Sequence, residues 1–437
     1  MTAPEYDVIL VGSGTCGATL ARELARGRKK VLILERGADV PLQESLAAFT
    51  AIAREYSLGD DLKAATGITV GGSTSLYLGV CKLPTADTFT QLGIDLSGEL
   101  AQVRSELPIA ELPDEFLPPQ SLRIRESAAA LGYRMTKAPL LVDQAKCPGG
   151  KYSYQAKWKA KTYITDALRS GAQLITGATV QKVLVENGRA VGVEYRCKGG
   201  FMRPRTVRVY AKKIVLSAGA LATPKLLIDC GISTVGDRGF FCKPTYMVCG
   251  TVRGLQGKDA FLGGLDVDLG NGVHIGDATM NAVLFKAVML ANFEWLHLFS
   301  HANILSVGIL IDDSMGGEIA EDGSYHKRLT AEELMKLRRA EQIAIRILEH
   351  AGARNLFKTR LVAGIPGGVV RVNDHVDRDL QTRIRDLYVC DHSLISDVKI
   401  TPTVTLICLG RYLAKRLLAS LEPARTQVSA ARVAQLA

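Results

Sequence analysis

The stretch Tyr6-Asp7-Val8-Ile9-Leu10-Val11-Gly12-Ser13-Gly14-Thr15-Cys16-Gly17, running on through Ala18–Arg26 and closing with Val31-Leu32-Ile33-Leu34-Glu35, decides the fold. An apolar run ending in glycine reads as a buried strand. Leu20 and Leu24, one turn apart, mark a helix, and the second apolar run is another strand. A Gly-x-Gly-x-x-Gly motif between strand and helix is the setting in which that motif identifies a dinucleotide-binding βαβ unit. Its spacing has a physical reason: Gly12 permits the tight turn, Gly14 lets backbone approach a pyrophosphate, and Gly17 lets helix pack on strand. The helix start then presents unpaired N–H groups and a positive dipole end to the phosphates. Gly12, Ser13, Gly14, Thr15, Cys16 and Gly17 are therefore candidate cofactor-binding residues. Glu35 ends the second strand where a carboxylate accepts from ribose hydroxyls and repels a 2′-phosphate, and Arg36 beside it joins the set. The motif alone does not say which dinucleotide binds.

The rest of the chain sets wider bounds. It has 437 residues, 47% hydrophobic and 22% charged, with 42 glycines, which excludes general disorder and calls for many tight turns. No apolar run approaches the length of a membrane-spanning helix, Thr401–Leu409 being the best candidate and much too short. Met1–Asp7 carries two acids and no basic leader, so the expected location is cytoplasmic. Nine scattered cysteines without a C-x-x-C pair point to neither a disulfide framework nor a metal site. The net charge of +10 leaves nucleic acid, acidic lipid or an anionic substrate open in principle, but only Arg26–Lys30 is locally dense and no aromatics interleave it. No nucleic-acid partner is expected. The basic run Lys198, Arg203, Arg205, Arg208, Lys212 and Lys213 around a hairpin reads as a solvated face, with an anion patch as the alternative.

Three further segments follow in order: GITVGGSTSLYLG at Gly67–Gly79, KKIVLSAGALATPKLLIDCGI at Lys212–Ile232, and LYVCDHSLISDVKITPTVTLICLGRYLAKRL at Leu387–Leu417. With the opening unit they resemble the glucose-methanol-choline (GMC) flavoprotein oxidoreductases in a short prokaryotic form. The resemblance is weakest at 83–146 and 254–300. It implies an α/β fold: a Rossmann-like FAD-binding domain assembled from discontinuous segments, plus an α+β substrate domain with an antiparallel sheet. The implied division is 1–90, 155–240 and 355–420 for FAD, 91–154 and 241–354 for substrate domain and cap, and 421–437 as a tail. By position, Gly71, Gly72, Ser73 and Thr74 match the glycine element beside the flavin. Val180 matches the strand position at the adenine, Ser217, Ala218 and Gly219 the small residues over the adenosine side, and Asp391 the acid near the ribityl and pyrophosphate. Pro402 and Thr403 would open a helix whose positive end favours charge on a reduced flavin.

Beyond these motifs, Met247–Val252 and Ile304–Ile311 read as strands of the substrate sheet. Thr330–Ala351 reads as a helix with a Thr330/Glu333 capping box and Gly352 at its end.

Flavin-dependent alcohol oxidation needs a base for the hydroxyl proton, and the family places a histidine in a sequence such as H-P-G-G-T. Here the matching stretch is Ala363-Gly364-Ile365-Pro366-Gly367-Gly368-Val369, so isoleucine stands at the histidine position. Thr401 stands where the family often has Asn or His, and it cannot act as a base near neutral pH. Replacement candidates are His392, which follows Asp391 directly; His297 and His301, which would share a face if helical; and Tyr77 as a proton donor. The expected activity is an FAD-dependent oxidoreductase passing a hydride between flavin and a rather apolar alcohol, ketone or alkene. The alternatives are a flavin-dependent isomerase, lyase or hydratase, or a pseudoenzyme that retains FAD. A small-molecule substrate is the expected partner; electron acceptor and oligomeric state stay open.

Overall fold

The computed structural model describes residues 5–59, 62–77, 79–84, 87–198, 204–320 and 322–422. The opening unit forms as read: β1 (Tyr6–Val11), α1 (Thr15–Arg26) and β2 (Val31–Glu35). β1 and β2 are parallel, with Val8 opposite Val31 and Val11 opposite Leu34, and the strand Gln173–Thr176 adds to the far side of β2. On its other edge β1 pairs with the second half of the long strand Pro204–Leu216, which in turn takes Leu387–Val389. Chain order thus reverses direction across the sheet at β1, and in such sheets ligands bind beyond the carboxyl ends of the strands at that point. Val8, Ile9, Leu10, Leu32, Ile33 and Val215 are almost wholly buried, as parallel strands covered on both faces require.

The first half of Pro204–Leu216 leaves the parallel sheet to form an antiparallel meander with Arg189–Lys198 and Thr179–Glu186. Three of the basic residues here are paired, Arg208 with Glu194 at 2.8 Å, Lys212 with Asp7 at 2.7 Å and Lys213 with Asp386 at 2.6 Å. That pairing removes the case for an anion patch at these positions; Arg203 lies outside the described residues, as does most of the tail.

A second, largely antiparallel sheet contains Pro244–Thr251 and Ile304–Ile311, paired in register from Thr245/Leu310 to Thr251/Ile304. Val273–Asp277, Leu265–Asp268 and Thr136–Lys137 extend it on one side. The helix Ala331–His350 packs on this sheet and carries the expected capping box. The sequence-order division differs from the pairing in two places. Ala53–Ser57 and Lys63–Gly67, placed above with the first domain, join the second sheet through Val362–Ala363, and Arg354–Lys358 pairs with Pro244–Thr251. Short extended segments take whichever edge offers free backbone donors and acceptors, and that edge is set by tertiary placement.

One polar knot ties the helices that cover the parallel sheet. Glu106, ending the helix Ser97–Glu106, accepts from Arg22 of α1, from Arg411 of the helix Pro402–Leu421 and, at 2.7 Å, from the Tyr163 hydroxyl. Arg22 is 2% exposed and lies 3.4 Å over the Tyr163 ring. Partial burial pushes the Glu106 carboxyl up, but Arg22, Tyr163 and Arg411 outweigh it and hold its pKa at about 2. A depressed folded-state pKa stabilises the fold above the ordinary carboxylate range and loses that contribution as pH falls toward 2. Glu106→Gln is expected to lower stability at pH 7 by about 1 kcal/mol, discounted for solvent screening of a carboxylate that is one-third exposed. Denaturant midpoints of variant and wild type should converge between about pH 4.5 and 2; a constant gap across that window would show that the charge is not what matters.

Candidate active site

The glycine turn is built as its spacing demands. Gly12 has φ +102°, and a Cβ there would sit 2.3 Å from the Ser217 carbonyl oxygen; a Cβ on Gly17 would sit 2.1 Å from the Gly12 oxygen. These two glycines are required by protein packing. Gly14 is different, because a Cβ there would meet no protein atom within 4 Å. Gly14 is also the N-cap of α1, and no side chain caps that helix, so its first-turn donors face the side that only a small residue leaves open. This is the cradle a diphosphate needs.

Glu35 braces the turn. One carboxylate oxygen accepts from the Ser13 amide at 3.0 Å and hydroxyl at 2.6 Å, and the other from the Gly37 amide at 2.6 Å. A carboxylate has about four acceptor sites, so one is left for a ribose hydroxyl. Arg36 is exposed on the far side, 5.9 Å from the Tyr56 ring. Val180 lies at the corner where the Gly177 and Ala178 amides donate to the Gly37 and Glu35 carbonyls.

The second glycine element meets the first. The Gly71 amide donates to the Ser13 hydroxyl at 3.2 Å, and a Cβ on Gly72 would sit 3.0 Å from the Gly14 Cα, a tight backbone contact. Gly71 and Gly72 have φ +89° and +59°, conformations that glycine adopts at little cost. Ser73 accepts from the Gly67 amide, and Thr74 donates to the Gly71 carbonyl while accepting from the Ala160 amide.

Asp391 gathers the third and fourth elements. One oxygen accepts from the Gly219 amide and the Thr223 hydroxyl, the other from the Ser393 amide and hydroxyl. Burial raises its pKa, and the four donors oppose that rise. Ser217 donates to the Cys390 carbonyl at 2.8 Å, and the Ala218 amide to Thr223. The Gly219 Cα side is open to 4 Å, like that of Gly14. Pro402 opens the last described helix at its first position, Thr403 is buried, and Thr401 stands as N-cap without a side-chain capping bond.

His392 has the position that the sequence left in question. Its Nδ1 donates to the Pro366 carbonyl at 2.7 Å, so it touches the turn in which Ile365 replaces the expected histidine. The ring lies edge-on to Phe241 at 5.9 Å and against Gly367. Burial lowers its pKa to about 4, the Pro366 carbonyl opposing this and the Lys243 charge adding to it. The ring is therefore neutral near pH 7. With Nδ1 holding the hydrogen, Nε2 carries a lone pair, and this buried atom has no hydrogen-bond partner.

The remaining candidates are engaged elsewhere. The Tyr77 hydroxyl donates to the Trp158 carbonyl at 2.7 Å, and burial raises its pKa well above the ordinary value. His297 and His301 do not share a helical face: they sit on two separate 3₁₀ turns, Trp295–His297 and His301–Asn303. The preceding helix stops at Ala291, where Phe293 takes φ +61°. His301 Nε2 donates to the Met280 carbonyl at 2.7 Å, and His297 stacks on Phe357. A feature not read from sequence supports the His392 neighbourhood. Buried Lys327 and Asp313 pair at 2.8 Å; Lys327 also donates to the Phe240 and Ser314 carbonyls, while Asp313 accepts from the Cys242 and Lys243 amides. The pair clamps the segment carrying Phe241. Two single charges far apart in sequence gave no motif to find.

Fold and site together define a dinucleotide-binding protein. The model of the GMC oxidoreductase family matches residues 6–239, more than half of the chain, and the chain belongs to that family. FAD is its cofactor. An uncharacterized GMC-type oxidoreductase of Mycobacterium tuberculosis is 29% identical over 251 residues, 52% of this chain and 39% of that one. A long-chain-alcohol oxidase of Arabidopsis thaliana is 24% identical over 255 residues, 52% of this chain and 34% of its own length. The match therefore spans less than half of these relatives. The formate oxidase of Aspergillus oryzae shares the fold, with a TM-score of 0.71 and 16% identity over 95% of this chain and 98% of that one.

Proposed function

We propose that this protein is an oxidoreductase that acts on a small, rather apolar alcohol, with His392 as the base in place of the histidine replaced by Ile365. The observation that carries the reading is the buried, unpartnered Nε2 of a neutral, partly buried imidazole fixed by Nδ1 to the Ile365 turn. Such an atom can take the hydroxyl proton as negative charge develops on the substrate oxygen. Phe241 beside the ring and Met315 against Gly368 line the neighbourhood with apolar surface, which favours an apolar substrate, as does the likeness to the long-chain-alcohol oxidase of Arabidopsis thaliana.

In this reading Gly14 and the α1 N-terminus hold the diphosphate, Glu35 the ribose, and the Val180 corner the adenine. Ser217–Gly219 and Asp391 flank the adenosine and ribityl portions, and Gly71–Thr74 the ring system. The chemistry FAD supplies when bound is acceptance of a hydride from the substrate carbon. Thr403 and the N-terminus of its helix place positive dipole where negative charge accumulates. The test is anaerobic mixing of the yellow protein with a panel of primary and secondary alcohols of increasing chain length. Lasting loss of the visible flavin absorbance with carbonyl product is expected; turnover without lasting bleaching would establish instead an isomerase- or lyase-type reaction.

A further inference from the structure

Among the described residues, the large apolar side chains most exposed gather, Met335 apart, in one short run. Leu296 and Phe299 are 92% and 87% exposed, and Phe293 and Trp295 59% and 57%. Elsewhere exposed apolar residues are scattered and less open, Met335 excepted, and single ones need no explanation. The run follows the helix Ala282–Ala291 and is held from beneath. Phe285 and Met289 are buried, and the Asn292 side chain accepts from the Arg360 amide at 2.6 Å. His297 stacks on Phe357 at 4.2 Å, and His301 is bonded to the Met280 carbonyl. A turn fixed at four points presents its large apolar groups to water by construction.

Two cations lie over its exposed rings, on a chain whose net charge is +10. Lys286 lies 5.3 Å from the Phe299 ring centre and Arg360 4.6 Å from that of Phe293, while Lys358 on the neighbouring strand pairs with Glu341. The acids in the same region are Glu294, within the turn, and Asp259, which accepts from the Ala282 amide. We infer that Phe293–Phe299 is a docking tip for the surface of an anionic lipid bilayer. Trp, Phe and Leu enter the headgroup boundary while neighbouring Lys and Arg meet lipid phosphates, the composition that interfacial anchoring uses. A second copy of this chain is disfavoured as the occupant: each copy carries +10, and near-complete exposure of Leu296 marks a protruding tip, whereas a stable dimer needs a broad matched face. Peripheral docking needs no spanning segment, and no described helix is long and apolar enough to cross a membrane. The inference stands independently of the proposed reaction.

The test uses the FAD-loaded protein with vesicles of phosphatidylcholine alone and of phosphatidylcholine mixed with phosphatidylglycerol. At low salt the wild type is expected to co-sediment at least about tenfold more with the anionic vesicles, and to lose this with added salt. The double variant Leu296→Ser/Phe299→Ser should lose about tenfold or more of that binding with its flavin absorbance unchanged. Trp158 is buried and Trp295 exposed, so a blue shift of emission on vesicle addition should vanish in Trp295→Phe. Equal binding by wild type and double variant, or no binding by either, would overturn the proposal. So would lipid-free dimerisation that the double variant abolishes, which would assign the tip to a second copy.

Discussion

His392→Ala is expected to lower kcat for alcohol oxidation by about 10²- to 10⁴-fold, the usual contribution of a positioned general base, with FAD still bound. The imidazole makes one hydrogen bond to protein, Nδ1 to the Pro366 carbonyl, so its removal leaves the glycine turns and the Asp391 donors in place. His392→Asn separates the two jobs of the ring. An asparagine amide can still donate toward Pro366 but offers no basic nitrogen, so a base predicts comparable loss in both variants, and a purely structural ring predicts rescue by asparagine. The pH profile gives a second readout. Because burial holds the imidazole near pKa 4, kcat/KM should stay level through the range where an ordinary histidine, near 6.5, would already be protonated. Its acid limb should appear near pH 4 and disappear from the residual activity of the variants. A kcat within threefold of wild type in His392→Ala would place the base elsewhere.

The sequence made the cofactor end of the molecule legible and left the catalytic end open, for a physical reason. Gly17 packs on the Gly12 carbonyl five residues back, so the motif's spacing carries that geometry, and the Thr330/Glu333 cap is equally local, whereas the approach of Ser217 to Gly12 is tertiary. The link between Ile365 and His392 is a tertiary contact through Pro366, and nothing in either local sequence announces it. For His297 and His301 the apolar run resembled a helix face, but Phe293 in the left-handed region ends the helix first, and a phenylalanine gives no warning of that. The pairing of Ala53–Gly67 with the second sheet was hidden in the same way, since edge partners are chosen by the assembled fold. Glu35 shows a subtler limit: its motif position was readable, but its brace to Ser13 and Gly37 was not.

Gly14→Val is expected to fold and to lose its cofactor, and Gly17→Val to fail at folding. The two positions belong to one motif, yet the space around them differs. A side chain at Gly17 must enter the Gly12 carbonyl, whose oxygen would lie 2.1 Å from its Cβ and which, as backbone, has no flexible group to move; the cost is about 3 kcal/mol or more, enough to remove much of a typical domain's stability. Gly14 has ordinary dihedrals for any residue, φ −66° and ψ −168°, and its Cβ direction meets no protein atom within 4 Å. A side chain there does not strain the backbone and its Cβ meets no protein, and the valine methyl groups are expected to fill the space left for the diphosphate. Overpacking a close contact costs about 1–3 kcal/mol, so FAD affinity should fall on the order of 10- to 100-fold. Gel filtration followed by the ratio of flavin to protein absorbance reads the loss, and far-ultraviolet circular dichroism with a thermal melt checks the fold. The expected pattern is a colourless Gly14→Val protein with wild-type dichroism beside an insoluble Gly17→Val. Full FAD affinity in soluble Gly14→Val would mean that the diphosphate does not lie against this turn, and the placement of every other cofactor contact proposed from it would have to be abandoned.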